Sequence, residues 1–516
     1  MVAILGPAAR HARTGIGVDV GSPWVVGVFC LYFAGLILIA LSGARRMRNM
    51  GDYVLGGRRL SSFTAALSAG SSTTSAWTML ALPGLAFAHG LGEMWIPVAA
   101  SLGIWLSWTV LARRLRRYTI EAGDILTLPE FYEVRFGDTT GLLRTVASLI
   151  TVLFVLFYVT SGLVGGAKLL ETIFDVDAAT GVLLTLFVVV TYTLIGGFLA
   201  VSRTDVFQAL LMLGSLALIA LVLTAHAEGG PAGVDSGRGL LNPFTHEGRP
   251  LDLFFALSTA GWALGAFGSQ RILQRFMALE DEELVERSRN ISLVWLVSVY
   301  GLALAVGLLA GPVLTERDLL PEVADPERVF LVVSEVFFHP AVTGVLLVAV
   351  IAAVMSTADS QLLLASAVAT DDVPLMRRLS RRLAQRARVW LGRGLLVVIG
   401  GAAAFVAIFF PESIFELVSY AWGGMGAAFG PVTILALYWR RLNAWGAGSS
   451  IVAGTLVATL WWSLSGGPGG VWEIQPATPG FLVATGVAVL VSLLTPGPPR
   501  EVVALYDRVN APPARR

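Results

Sequence analysis

Residues Leu67 to Gly84 read LSAGSSTTSAWTMLALPG, an apolar segment long enough to enter a bilayer that carries seven hydroxyl side chains. Ser68, Ser71, Ser72, Thr73, Thr74, Ser75 and Thr78 cannot all face hydrocarbon, and serine, threonine and glycine offer the backbone local hydrogen bonds that compete with regular helix. The stretch therefore predicts a helix broken at the membrane midplane. Irregular backbone at that depth is tolerated where it lines a cavity or is buried in protein, and its freed carbonyls are hard oxygen ligands for a small cation. Close packing of small residues accounts for Gly70 and Ala76 but not for five consecutive hydroxyls.

Working outward, the whole chain has membrane composition: 55% hydrophobic, 14% charged and mean hydropathy +0.74 over 516 residues, far from a soluble enzyme. A net charge of +1 gives no case for a nucleic-acid partner, and the single cysteine, Cys30, excludes a disulfide framework. Cys30 is expected to be buried. No obligate protein partner is evident; the bilayer is the medium the composition demands.

Apolar runs near 24–44, 63–85, 92–112, 142–166, 182–200, 206–225, 252–275, 290–313, 341–368, 389–410, 414–438, 444–464 and 480–496 can each cross a bilayer at roughly 20 residues, so about thirteen transmembrane helices are expected. Arginines follow every odd-numbered span: Arg45, Arg46, Arg48, Arg58 and Arg59; Arg113, Arg114, Arg116 and Arg117; Arg203; Arg271, Arg275, Arg287 and Arg289; Arg377 to Arg388; Arg440 and Arg441. By the positive-inside bias the N-terminus lies outside and the C-terminus in the cytoplasm of a multi-pass plasma-membrane protein, Arg10 and Arg13 notwithstanding.

The hydroxyl-rich break in span two has an echo five spans later, STAGWALGAFGSQ from Ser258 to Gln270. Paired interruptions in two halves point to inverted repeats with a site at the midplane. An odd offset inverts the second copy. The expected division is thus 1–62 for a tail, an extra helix and a cytoplasmic loop, 63–225 for the first five-helix repeat, 226–251 for an extracellular loop, 252–438 for the inverted second repeat, 439–496 for two further helices and 497–516 for a cytoplasmic tail.

Span nine carries the second polar group, AAVMSTADSQ from Ala352 to Gln361, in which Ser356, Asp359 and Ser360 share one helical face with Thr357 beside them. A carboxylate near mid-membrane costs roughly 2.5–3.5 kcal/mol and calls for a cation, a proton or water. Asp359 is either such a ligand or a hydrated helix end. Asp205, in Ser202-Arg203-Thr204-Asp205, is either a ligand or the N-cap of span six. Apart from Arg203, no intramembrane cation is evident to balance them.

Further motifs carry a resemblance: DYVLGGRRL (52–60), ALSAGSS (66–72), LTLPEFYEVRFGD (126–138), YTLIGGFLAVSRTD (192–205), RFMA (275–278), AAVMSTADSQLL (352–363) and SYAWGGMGAAFGP (419–431). Their order and spacing are similar to those of the sodium:solute symporter family, most of all its sodium/proline branch. The resemblance implies an all-α polytopic membrane protein with leucine-transporter-like inverted five-helix repeats and broken helices, importing a small organic solute with Na+ as coupling ion. Its sodium site falls on the carbonyls of Ser71, Thr74 and Ala353 and the hydroxyls of Ser356 and Thr357. A second sodium or proton site falls on Asp205, Asp359 and Ser360 with Ser356, the substrate pocket on Ser75, Trp77, Tyr158 and Trp262, and a functional cytoplasmic arginine on Arg58. An amino acid such as proline is the leading substrate by this resemblance, from which the chain departs in two places: the proline branch has an aspartate where this chain has Thr73, and an aromatic residue where Ala266 enlarges the pocket. A proton-coupled carrier of another amino acid or small carboxylate, and a transporter-like sensory receptor, are the alternatives.

Overall fold

The computed structural model describes residues 22–44, 49–227, 240–246, 248–320, 323, 325–464 and 474–511. The tail bearing Arg10 and Arg13, the arginines of 45–48, half of 226–251 and the last residues lie outside them. In chain order the principal helices are α1 (Pro23–Ala44), α2 (Ser62–Thr73), α3 (Leu82–His89), α4 (Leu91–Glu121), α5 (Leu128–Phe136), α6 (Leu142–Phe174), α7 (Ala178–His226), α8 (Leu253–Gly268), α9 (Gln270–Ala278), α10 (Val285–Thr315), α11 (Pro340–Asp371), α12 (Gln385–Phe409), α13 (Ile414–Tyr438), α14 (Ala444–Leu464), α15 (Ala477–Leu494) and α16 (Arg500–Asn510).

Ten helices among the described residues are long and apolar enough to cross a bilayer, against the thirteen spans expected. The difference arises where the backbone is interrupted. α7 runs through 49 residues and bends at Gly197, whose φ of 63° with ψ of −177° suits glycine, so two expected spans form one bent element. The second and seventh spans are each assembled from two shorter helices. α2 starts on Ser61, whose hydroxyl accepts from Thr64 N, and ends at Thr74 (φ −91°, ψ 73°); a π-helical turn, Trp77–Ala81, precedes α3. The hydroxyls of Ser72, Thr73 and Thr74 donate back to the carbonyls of Ser68, Ala69 and Gly70, which is the side-chain competition that ends the helix. In the second interruption the chain stays helical from Leu253 to Gly268 and breaks only at Ser269 (φ −68°, ψ 98°), so the kink lies at the far end of the expected stretch.

α11 and α13 form the centre, with 83% and 89% of their apolar windows buried, whereas α1, α14 and α15 bury 22%, 28% and 33% and face outward. α2 packs against α7, α9, α10 and α11, which sets its break beside the polar group of α11. At the arginine-rich end Leu60 N donates to Ala278 O (3.1 Å) and Glu280 N to Leu60 O (3.1 Å), tying the start of α2 to the end of α9. Three local expectations are corrected. Cys30 is exposed on α1 because that helix has an outer face. Asp205 is no cap, since it lies eight residues beyond the Gly197 bend within continuous helix. Arg271 and Arg275 are not loop arginines: both sit in α9, fully buried.

Candidate functional site

The break in α2 meets the middle of α11. Ser356 Oγ donates towards Ser71 O (3.3 Å) and Ala353 O (3.2 Å), and Thr357 Oγ1 to Ser72 O (3.1 Å). Thr74 Oγ1 reaches Gly70 O (3.1 Å) and Ser71 O (3.4 Å). Ser71, Thr74, Ala353, Ser356 and Thr357 are all completely buried. The structure thus brings Ser71 O, Ala353 O and the Ser356 hydroxyl together, with the Thr74 hydroxyl near Ser71 O and Thr357 on the neighbouring Ser72 carbonyl, a set of neutral hard oxygens of the kind that holds a hard cation. Thr357 differs slightly from expectation in facing the Ser72 carbonyl.

One step towards the arginine-rich end lie the carboxylates. Asp205 and Asp359 are both fully buried, so neither is a hydrated helix end. Asp205 Oδ2 accepts from Ser68 Oγ (2.6 Å) and from Arg275 (3.3 Å), and the same guanidinium donates to Ser360 Oγ (2.6 Å) and Ser68 Oγ (3.1 Å). Asp359 accepts from Tyr192 OH (2.7 Å), which also pairs with Thr204. Arg275 is the intramembrane cation that sequence reading lacked. It stands between Asp205 and Ser360, two of the three residues expected to share a second ion. One guanidinium thus faces two buried carboxylates, with Arg271 one turn away on the same helix.

The substrate positions also converge. Trp77 packs against Trp262 (ring centroids 5.5 Å) and Tyr300 (5.4 Å), and its Nε1 donates to Thr73 O (3.1 Å) across the break. Trp422 Nε1 donates to Trp262 O (2.9 Å). Arg271 lies 3.9 Å from the centre of the Tyr158 ring and 5.7 Å from that of Trp422. Ser75, Trp77, Tyr158 and Trp262 are therefore joined by Tyr300, Trp422 and Arg271, which the sequence did not single out. Gly265 is required here: a Cβ would fall 1.9 Å from Trp422 Nε1. Ala266 is buried.

Beyond this floor, at the arginine-poor end, Trp262 stacks on Phe415 (5.5 Å) beneath a cavity of about 460 Å³ that Glu412, Glu416 and Gln475 help to line. At the arginine-rich end the chain is tied shut. Arg58 donates to Asp124 Oδ1 (2.7 Å), Met277 O (2.6 Å) and Ile125 O (2.7 Å). Glu133 on α5 receives Arg144 (2.6 Å) and Arg377 (2.9 Å). Burial works against ionisation of Glu133, but the hydrogen bonds from Arg377 and Arg144 outweigh it and hold the carboxyl below its ordinary value.

Two broken helices, an oxygen cluster and buried carboxylates in one polytopic bundle define an ion-coupled secondary transporter. A family model described as the sodium:solute symporter family matches residues 53–454. The chain is 36% identical to an osmoregulated proline transporter of Bacillus subtilis, over 92% of this chain and 96% of that one. It is 35% identical to a sodium/proline symporter of Escherichia coli, over 96% and 99%. In structure it is similar to a Na+-coupled sialic acid symporter in a substrate-bound outward-open state (TM-score 0.76, 20% identity, 93% of this chain and 100% of that chain). A nucleobase-cation-symport-1 family transporter in a closed conformation is more distant (TM-score 0.54, 11% identity, 89% and 98%). The chain belongs to the sodium:solute symporter family, which makes it a carrier and not an enzyme.

Proposed function

We propose that the chain imports proline, or a small amino acid close to it, by sodium-driven alternating access. The observation that carries this reading is the Ser356 hydroxyl placed against the carbonyls of both Ser71 and Ala353, where a sodium ion would join α2 to α11. In this reading Ser71, Thr74, Ala353, Ser356 and Thr357 hold the ion. Ser75, Trp77, Tyr158 and Trp262 hold the solute, so that ion binding, by fixing the α2 break, completes the pocket beside it. The two buried carboxylates, Asp205 and Asp359, leave a place for a second sodium or a retained proton, with Ser360 as a neutral ligand. Each positive charge moved inward gains about 2.3 kcal/mol per 100 mV before any concentration gradient is counted. The arginine-rich end faces the cytoplasm, the N-terminus the outside, and the chain works in lipid without an obligate protein partner.

Uptake of proline into proteoliposomes with an inward sodium gradient is the test, and equal uptake in potassium buffer would overturn the proposal. The buried pair Asp205 and Asp359 favours one second reading, proton-coupled carriage of another amino acid or small carboxylate; uptake that follows pH and ignores sodium would select it.

A further inference from the structure

Arg271 stands apart from the ion site. Its side chain is fully buried, and none of Nε, Nη1 and Nη2 finds a hydrogen-bond acceptor among the described residues. An unpaired guanidinium buried at mid-membrane is costly, and such a charge is retained where something compensates it. Its position on the helix raises the cost further. Arg271 is the second residue of α9, whose N-terminus no side chain caps, so a positive side chain stands at the positive end of the helix dipole. Both features ask for the same remedy, an anion held by the guanidinium at the start of the helix.

The surroundings describe that anion. The hydroxyls of Ser269, Tyr158 and Tyr300 are buried without a partner among the described residues, as is that of Ser75. The guanidinium lies on the Tyr158 ring and near Trp422, and Tyr300 is within electrostatic reach of both Tyr158 and Arg271. Trp77 and Trp262 continue the same wall. A polar pole thus adjoins an aromatic wall. Asp205 is committed to Arg275, one turn further on.

We infer that Arg271 receives the carboxylate of the transported solute, so that the site selects small carboxylates with a compact apolar body lying against Trp77 and Trp262. This rests on the importer reading and deepens it: the planar fork of arginine matches a carboxylate with two parallel hydrogen bonds, which a neutral residue cannot supply.

The test uses the full-length protein in proteoliposomes, with proline, prolinamide and cyclopentanecarboxylate as probes. In the wild type, prolinamide is expected to compete with proline roughly 10- to 100-fold more weakly than unlabelled proline does, the range for a lost charged hydrogen bond. Equal competition by the amide overturns the inference. Cyclopentanecarboxylate, competing better than prolinamide, would show that the carboxylate matters more than the amine; the reverse order overturns the inference as well. In R271Q the half-saturation for proline should rise by the same roughly 10- to 100-fold factor. Sodium half-saturation should stay at the wild-type value, and R271K should fall between. An unchanged proline half-saturation in R271Q overturns the inference even if R271K is inactive. Should R271Q fail to fold, the wild-type competition series and R271K still decide. Failure of the importer reading looks different: no probe is then taken up with sodium by the wild type. In that event the thermal midpoint of the purified wild type is measured across a panel of carboxylates and their amides. Stabilisation by the carboxylates supports the role of Arg271, and stabilisation by the amides alone overturns it.

Discussion

Arg271 and Arg275 stand one turn apart on α9 and are equally buried, yet they live in opposite chemical states. Arg275 donates to Ser68, Asp205, Ser360 and its own helix. Arg271 lies against aromatic rings with every nitrogen unpaired among the described residues. A satisfied buried charge is a strut: its partners come from α2, α7 and α11, so it ties these helices together beside the proposed ion site. An unsatisfied one is a socket, stable only when a ligand arrives. The same residue type on one short helix therefore separates what holds the carrier together from what the carrier holds.

The harshest way to break that comparison is to remove the strut. Arg275→Gln leaves Asp205 buried without its cation, and breaking a buried pair costs about 3–5 kcal/mol. Loss of folded protein on size-exclusion chromatography, or a lowered thermal midpoint, is expected, with recovery in the Asp205→Asn/Arg275→Gln double variant. A single variant as stable as wild type would show that Arg275 is no strut.

Next in size are the hydroxyls of the ion site. Ser356→Ala removes the group that spans Ser71 and Ala353, and sodium half-saturation of transport should rise roughly tenfold or more, taking a charged hydrogen bond as the yardstick. Thr357→Ala should have the same direction and a smaller size, because its hydroxyl faces Ser72. Wild-type sodium titrations in both variants would remove these residues from the ion site.

The hydroxyl run is legible in the sequence because Ser71 to Ser75 violate the apolar rule of the segment that contains them, and Asp359 of α11 stands out for the same reason. Arg271 and Arg275 are hidden by the opposite effect. They follow an apolar run in QRILQRFMA, where arginines read as loop charges, and only the break at Ser269 turns that short helix inward. Tyr300 and Trp422 are invisible for a simpler reason, since aromatic residues are common in spans and only three-dimensional placement distinguishes a wall from packing. The bend at Gly197 is equally silent, because a glycine pair inside an apolar run does not reveal whether the chain reverses or only kinks.

A smaller effect is expected at the acids themselves. Asp205→Asn or Asp359→Asn should raise sodium half-saturation or lower the Hill slope more than it changes substrate affinity, because Arg275 already balances one of the two charges. Sodium titrations at fixed proline concentration check this. If both variants keep the wild-type half-saturation and slope, no second ion is coupled there.

The smallest effect belongs to a third arginine group, where water is at hand. Arg144 and Arg377 converge on Glu133 at the arginine-rich end; the glutamate side chain is 16% and Arg377 22% exposed, while Arg144, 7% exposed, also holds Asp372 and keeps that partner when Glu133 is removed. Partly exposed pairs are worth about 0.2–1 kcal/mol each, far below the Arg275 strut. The sign of the pH dependence follows from the direction of the shift: Glu133 titrates below its ordinary 4.5 in the folded protein, so its contribution is present above that value and is lost as pH falls through the depressed one. Glu133→Gln should therefore lower the thermal midpoint slightly at neutral pH, and the gap from wild type should close on acidification below about 4.5. A gap that widens on acidification, or one as large as that of Arg275→Gln at neutral pH, would mean that exposure does not set the worth of an arginine in this molecule, and the contrast between strut, socket and surface pair would fail.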